Sequence, residues 1–215
     1  MIETPIIVTR AEPGASETIA RLRGMGLTVI SSPVLSLHER VDVPIAPAST
    51  LAGLVFTSAN GVRVFAAREQ DRSLTAWCVG PGTAQEASAK GYETRTGSGT
   101  ATDLLNLMLE KAPQTGLYIH FRGEEVRERI APPLQDAGFR AEERIVYEAK
   151  ELPLSAEAQE ALASNALHAI TSFSPRGATL LAKAQSPSWT LESTTLVAIS
   201  TAAAKPLEQV PFAKI

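Results

Sequence analysis

Short apolar runs recur along the chain, each followed by a polar or glycine-containing loop and then by apolar residues at helical spacing. Ile6-Ile7-Val8 leads through Thr9-Arg10-Ala11-Glu12-Pro13-Gly14 to Ile19, Leu22 and Met25 at helical spacing. Leu54-Val55-Phe56 leads through Thr57-Ser58-Ala59-Asn60-Gly61 to Val62 and Phe65. Trp77-Cys78-Val79 leads through Gly80-Pro81-Gly82-Thr83 to an alanine-rich helix. Leu117-Tyr118-Ile119, His168-Ala169-Ile170 and Leu196-Val197-Ala198-Ile199 repeat the theme. Strands that alternate with helices predict an α/β fold with parallel sheets, and runs apolar throughout suit strands covered on both faces.

Stop and start signals sharpen these boundaries. Gly26-Leu27, Gly91-Tyr92 and Gly138-Phe139 each place a glycine before a large apolar residue. Glycine takes the left-handed position after a helix without a Cβ clash, and the apolar residue folds back on the last turn. Thr100 with Asp103, ahead of Leu104, Leu105 and Met108, predicts a capping box. Val126 and Ile130 predict a helix after Arg122-Gly123 that breaks at Pro132-Pro133 and restarts toward Leu134.

Two stretches interrupt the rhythm. Pro33 to Pro47 and Tyr147 to Pro153 read as extended, with complete strand–helix units between them. A discontinuous arrangement follows. Residues 1–36 and 149–215 form a first α/β domain, and 44–146 form a second. The two crossings are expected to lie side by side as antiparallel strands.

Composition narrows the classes. The 215 residues are 44% hydrophobic and 20% charged, with a net charge of −3, which gives no sign of a nucleic-acid binder. An anion site must then be local, built from a few arginines and backbone amides. A single cysteine, Cys78, allows no internal disulfide and suits the cytoplasm. No stretch approaches the roughly 20 apolar residues of a membrane span. The sequence carries no G-x-G-x-x-G, Walker loop, G-x-S-x-G elbow or Cys/His metal spacing. His38, His120 and His168 are dispersed and fit structural roles.

The candidate chemistry is a set of small or hydroxylated residues where strands give way to helices: Ser58, Asn60, Thr83, Ser174, Ser200 and Thr201. Ligands of open α/β sheets bind at that edge, where helix N-termini favour carboxylates. Helix capping explains most of these residues taken singly. Arg10 and Arg122 follow strands directly, and an arginine there can hold a carboxylate bidentately. Tyr147 follows Ile145-Val146 at the return crossing and fits either a core tyrosine or a functional one.

Taken together and in order, these segments resemble the uroporphyrinogen-III synthase family. PIIVTRAEPGASETIARLRGMGLTVISSPVLSL is similar to the family's opening strand, arginine loop, helix and crossing strand. LVFTSANGVRVF, CVGPGTAQEASAKGY, FRGEEVRERIAPPLQDAGFRAEERIVYEA and ITSFSPRGATLL resemble its later motifs. The resemblance implies two small parallel-sheet lobes, joined by a two-stranded connector, with the site in a cleft between them. It implies an enzyme that closes and dehydrates hydroxymethylbilane to uroporphyrinogen III with inversion of the last pyrrole, without a cofactor or metal. Hydroxymethylbilane synthase is the expected upstream supplier, and a monomer is expected.

Carried onto this sequence, the resemblance makes Tyr147 the donor to the departing hydroxyl. The substrate-binding set is Arg10, Ser58, Asn60, Gly80, Thr83, Arg122, Gly123, Ser174, Pro175, Ser200 and Thr201. Two features depart from the family pattern. The last strand–helix unit, Ile199-Ser200-Thr201-Ala202-Ala203-Ala204, keeps small residues but departs from the family's commoner pattern, and the sequence ends at Phe212-Ala213-Lys214-Ile215, where the family usually adds a strand and helix. The alternative is a non-catalytic tetrapyrrole-binding or regulatory protein of the same fold.

Overall fold

The apolar runs become the central strands of two parallel sheets. The structure, a computed structural model, describes residues 4–126 and 129–215. The chain divides into two units, one of Met1–Leu37 with Lys150–Ile215 and one of His38–Ala149.

The first unit holds a four-stranded sheet of β1 (Ile6–Val8), β2 (Val29–Ser31), β9 (Ala169–Ser172) and β10 (Thr195–Ala198). Their order is β10-β9-β1-β2, and all pairings are parallel. Ile7, Ile30, Ile170 and Leu196 pack with Leu162 of α6 (Ala156–Ala163) and Leu181 of α7 (Pro175–Ala184). Val8 and Val29 pack with Ala15 and Ile19 of α1 (Gly14–Gly24), so the sheet is covered on both faces. A short helix, α8 (Thr201–Ala204), follows β10, and Lys214 makes an isolated parallel bridge to Thr195.

In the second unit β4 spans Leu51–Phe56, β5 Ala76–Cys78, β6 Thr94–Thr96, β7 Leu117–Gly123 and β8 Arg140–Glu151. These five pair with one another in parallel. With β3 (Leu35–Glu39) at one edge, the sheet order is β3-β8-β7-β4-β5-β6. One face packs on α2 (Ala59–Arg68) and α3 (Pro81–Ala89) through Phe56, Phe65, Phe121 and Ala87. The rings of Phe65 and Phe121 lie 4.5 Å apart between centroids. The other face packs on α4 (Ala101–Lys111) and α5 (Ala131–Asp136) through Val55, Leu104, Met108 and Leu134.

The chain passes between the units within β3 and β8. Leu152 N–H donates to Val34 O, and Arg40 N–H donates to Val146 O, both at 2.9 Å. Numbers that rise on one strand and fall on the other describe antiparallel neighbours.

The glycine stops form as the sequence predicts. Gly26, Gly91 and Gly138 have φ of 80°, 91° and 87°. Leu27, Tyr92 and Phe139 donate back to Leu22, Ala87 and Leu134 at 3.2, 3.1 and 3.0 Å. The helix expected through Val126 and Ile130 falls in part on residues 127 and 128, outside the described residues, and α5 opens at Ala131 with Pro132 and Pro133 in its first turn. The prolines start a helix because their missing N–H groups fall where no intrahelical partner exists.

Candidate functional site

The loops after β4, β5 and β6 set one wall of a cavity in the second unit. After β4, Ser58 caps α2, its Oγ accepting from Asn60 N–H at 3.2 Å. After β6, Thr100 caps α4, its Oγ1 accepting from Asp103 N–H at 3.1 Å. Between them lies Gly80 at the start of α3, where an added Cβ would stand 3.1 Å from Gly99 Cα. Gly99 itself has φ of +126°, a conformation L side chains rarely adopt. This pair of glycines therefore lets two helix starts approach one another.

The opposite wall comes from β7 and β8. A register shift between Arg122 and Gly123 places Gly123 beside Tyr147. A Cβ at Gly123 would lie 2.7 Å from both Cε2 and Cζ of Tyr147, so the missing side chain makes room for the ring. Glu124 N–H donates to Tyr147 O at 2.9 Å and fixes the strand there. The cavity between these walls is about 420 Å³ and is lined by Thr57, Ser58, Val79, Gly99, Thr100, Ala101, Glu125, Val126 and Tyr147. Helix starts offer free N–H groups and partial positive charge, which suit carboxylates. A half-buried phenol on the facing wall can donate or accept a hydrogen bond.

Behind Thr57 lies a buried polar cluster. His120, 1% exposed on β7, places Nε2 2.9 Å from Thr57 Oγ1. Its Nδ1 lies 4.0 Å from Glu143 Oε1 on β8, and neither atom has a hydrogen-bond partner among the described residues. Glu143 Oε2 accepts from Arg122 Nε at 3.0 Å and from Arg129 Nε at 2.9 Å. Burial pushes the His120 imidazole down to about 4, opposed by the Glu143 charge and assisted by the Arg122 and Arg129 charges. Burial alone would raise the Glu143 carboxyl. The hydrogen bond from Arg129 and the charge of Arg122 outweigh burial and hold it below the ordinary carboxylate value.

The sequence-predicted residues fall into separate groups. Tyr147 and Ser58 line the cavity, Gly123 backs the Tyr147 ring, and Gly80 packs against Gly99, which also lines the cavity. Asn60 Oδ1 instead accepts from Arg63 at 3.0 Å, and Arg63 pairs with Glu86 at 2.5 Å. Thr83 is buried in the first turn of α3. Arg122 has its guanidinium turned inward, with Nη1 donating to the carbonyls of Gly123 and Glu124 at 2.8 and 2.9 Å.

Arg10, Ser174, Pro175, Ser200 and Thr201 belong to the first unit, at the C-terminal edge of its sheet. Ser174 caps α7 through Gly177 N–H at 3.0 Å, with Pro175 as the first helical residue. Ser200 caps α8 through Ala203 N–H, and Thr201 opens that helix. Arg10 donates to Thr18 Oγ1 at 3.1 Å and lies 5.1 Å from the centroid of Phe173.

Sequence reasoning left Thr57, Thr100, Gly99 and Glu125 out of the candidate set. Thr57 stands beside Ser58 in the same loop, so the strand-end rule that selected Ser58 applies equally to it. Thr100 was legible as a cap. Its place at the cavity follows from β6 lying next to β5, an order the sequence does not state.

A sequence profile described as Uroporphyrinogen-III synthase HemD matches residues 16–215. No curated protein sequence matches the chain. Among solved structures, uroporphyrinogen-III synthetase from Helicobacter pylori is 16% identical, with a TM-score of 0.62, over 98% of this chain and 92% of that one. A mutant uroporphyrinogen III synthase from the extremely thermophilic bacterium Thermus thermophilus is 17% identical, with a TM-score of 0.54, over 96% and 88%. At such identities the structures speak to the fold alone. The profile spans nearly the whole sequence, and on that match the chain belongs to the uroporphyrinogen-III synthase family.

Proposed function

We propose that this chain converts hydroxymethylbilane to uroporphyrinogen III, releasing water and inverting the last pyrrole. The observation that carries the reading is the family match over residues 16–215. The linear substrate bears acetate and propionate carboxylates. Its hydroxymethyl group leaves readily, because the adjacent pyrrole nitrogen supplies electrons to form an azafulvene. Ring closure without a protein proceeds without inversion, so the protein's main task is orientation.

The cavity of the second unit supports this assignment of roles. The helix starts after Ser58 and Thr100 hold carboxylates of the substrate. Tyr147 donates to the departing hydroxyl, and Gly123 keeps the space its ring needs. Arg10, Ser174, Pro175, Ser200 and Thr201 supply a second set of carboxylate contacts at the sheet edge of the first unit. Asn60 and Thr83 act through the first turns of α2 and α3, and Arg122 acts by fixing Glu143. The reading extends to a monomer in the cytoplasm, supplied by hydroxymethylbilane synthase. The buried thiol of Cys78, pushed up to about 12 by burial, stays protonated and unreactive.

The test is product analysis. Fresh hydroxymethylbilane is supplied, the products are oxidised, and the isomers are separated by chromatography. Isomer III in excess over a protein-free control is the expected result. Isomer I alone, from folded protein, would favour a tetrapyrrole binder without turnover.

A further inference from the structure

His120 is a costly residue to bury at its position on β7. It is 1% exposed, its Nδ1 makes no hydrogen bond among the described residues, and it faces a Glu143 oxygen that also lacks one. Unpaired buried polar groups oppose folding, so an apolar residue on this strand would serve the core better. The hydrogen bond that His120 does make runs through Nε2 to Thr57, a wall residue of the cavity that holds Tyr147.

The surroundings select one tautomer. Glu143 Oε1 lies 4.0 Å from Nδ1, while Oε2 is engaged by Arg122 of β7 and by Arg129 ahead of α5. An acceptor with unfilled lone pairs favours the ring proton on the nitrogen that faces it. Burial keeps the ring neutral, so Nε2 then carries the lone pair. The Thr57 hydroxyl must donate to it and cannot also donate into the cavity.

We propose that His120 is a positioning residue for ring closure, holding the Thr57 hydroxyl so that its oxygen faces the substrate as an acceptor for a pyrrole N–H. This rests on the synthase reading above. It gives the cavity two complementary walls, with helix-start donors for carboxylates and the Thr57 oxygen for pyrrole nitrogen. Glu143 acts one step further back by fixing the ring's tautomer.

The experiment uses the full chain and compares wild type with Thr57→Val, Thr57→Ser, His120→Gln, His120→Leu and the Thr57→Val/His120→Leu double variant. Thr57→Val and His120→Leu should each lower the rate of isomer III formation about tenfold, the worth of one hydrogen bond in the transition state. The double variant should be no slower than either single variant, because both remove the same interaction. Thr57→Ser and His120→Gln, which keep the hydroxyl and a group at the Nε2 position, should restore most of the rate.

Nitrogen-15 NMR of the labelled protein reads the tautomer directly, while the coupling and the rescue above separate positioning from a purely structural role. The His120 signals, assigned by their loss in His120→Gln, should show a pyridine-like Nε2 and a pyrrole-like Nδ1. Additive rate losses, a failure of Thr57→Ser to rescue, or a protonated Nε2 would overturn the proposal while leaving the synthase reading intact. A folded wild type that forms no isomer III would overturn both.

Discussion

Acidification should weaken the second unit through His120 in a way that one substitution removes. The imidazole titrates at 6.5 when free in the unfolded chain and at about 4 when folded, chiefly because burial disfavours its charged form. Between these values the unfolded chain binds the proton and the folded chain does not. Stability is therefore complete above 6.5 and falls as the pH drops toward about 4. At about 1.4 kcal/mol per pH unit, the interval between 6.5 and about 4 makes the loss ~3 kcal/mol. The assay is urea unfolding over a series of pH values, with and without His120→Gln. Both proteins carry Trp189→Phe, so that emission reports Trp77, which is buried in the second unit. Arg129, its proton held by the hydrogen bond to Glu143, stays charged throughout, and most other titrations are shared by the two proteins. The histidine protein should lose ~3 kcal/mol more than the glutamine variant across this window. Parallel stability curves would refute the reasoning, because they would mean His120 accepts a proton in the folded state as readily as in the unfolded one.

Three further outcomes follow from the cavity's construction. Tyr147→Phe should slow isomer III formation about tenfold, the worth of one lost hydrogen bond, and an unchanged rate would remove the donor role from this hydroxyl. Gly123→Ala should slow the same reaction with Tyr147 itself unsubstituted, since the new methyl would stand 2.7 Å from the Tyr147 ring and displace it. It should also destabilise the second unit by ~1–3 kcal/mol in urea unfolding, as overpacking does. Thr100→Ala removes the cap of α4 and should cost about 1 kcal/mol in the same assay, with a raised KM for hydroxymethylbilane.

The parts of the fold legible in the sequence are those written in local chemistry. Apolar runs such as Leu54-Val55-Phe56 became strands because they are covered on both faces, and glycines at 26, 91 and 138 ended helices through positive φ. Thr100 and Asp103 marked a helix start through a side-chain bond only three residues long. The helix expected through Val126 and Ile130 lies in part outside the described residues, whereas Pro132 and Pro133 dictate where α5 begins. The Thr57–His120–Glu143 line was not legible. Its members lie on or beside three strands, and their meeting depends on the order β8-β7-β4 and on residue-level register. Arg122 illustrates the same limit, for a strand-end arginine can face a ligand or a buried carboxylate, and only the position of Glu143 decides between them.

The proposed function places substrate carboxylates on the helix starts of the second unit. A crystal structure of the full chain with bound uroporphyrinogen III tests it most directly. Tetrapyrrole carboxylates should lie against the first turns of α2 and α4, beside Ser58 and Thr100, with the macrocycle within reach of Tyr147 and a pyrrole nitrogen facing Thr57. A tetrapyrrole bound with no carboxylate at those turns, and with Tyr147 and Thr57 untouched, would contradict it.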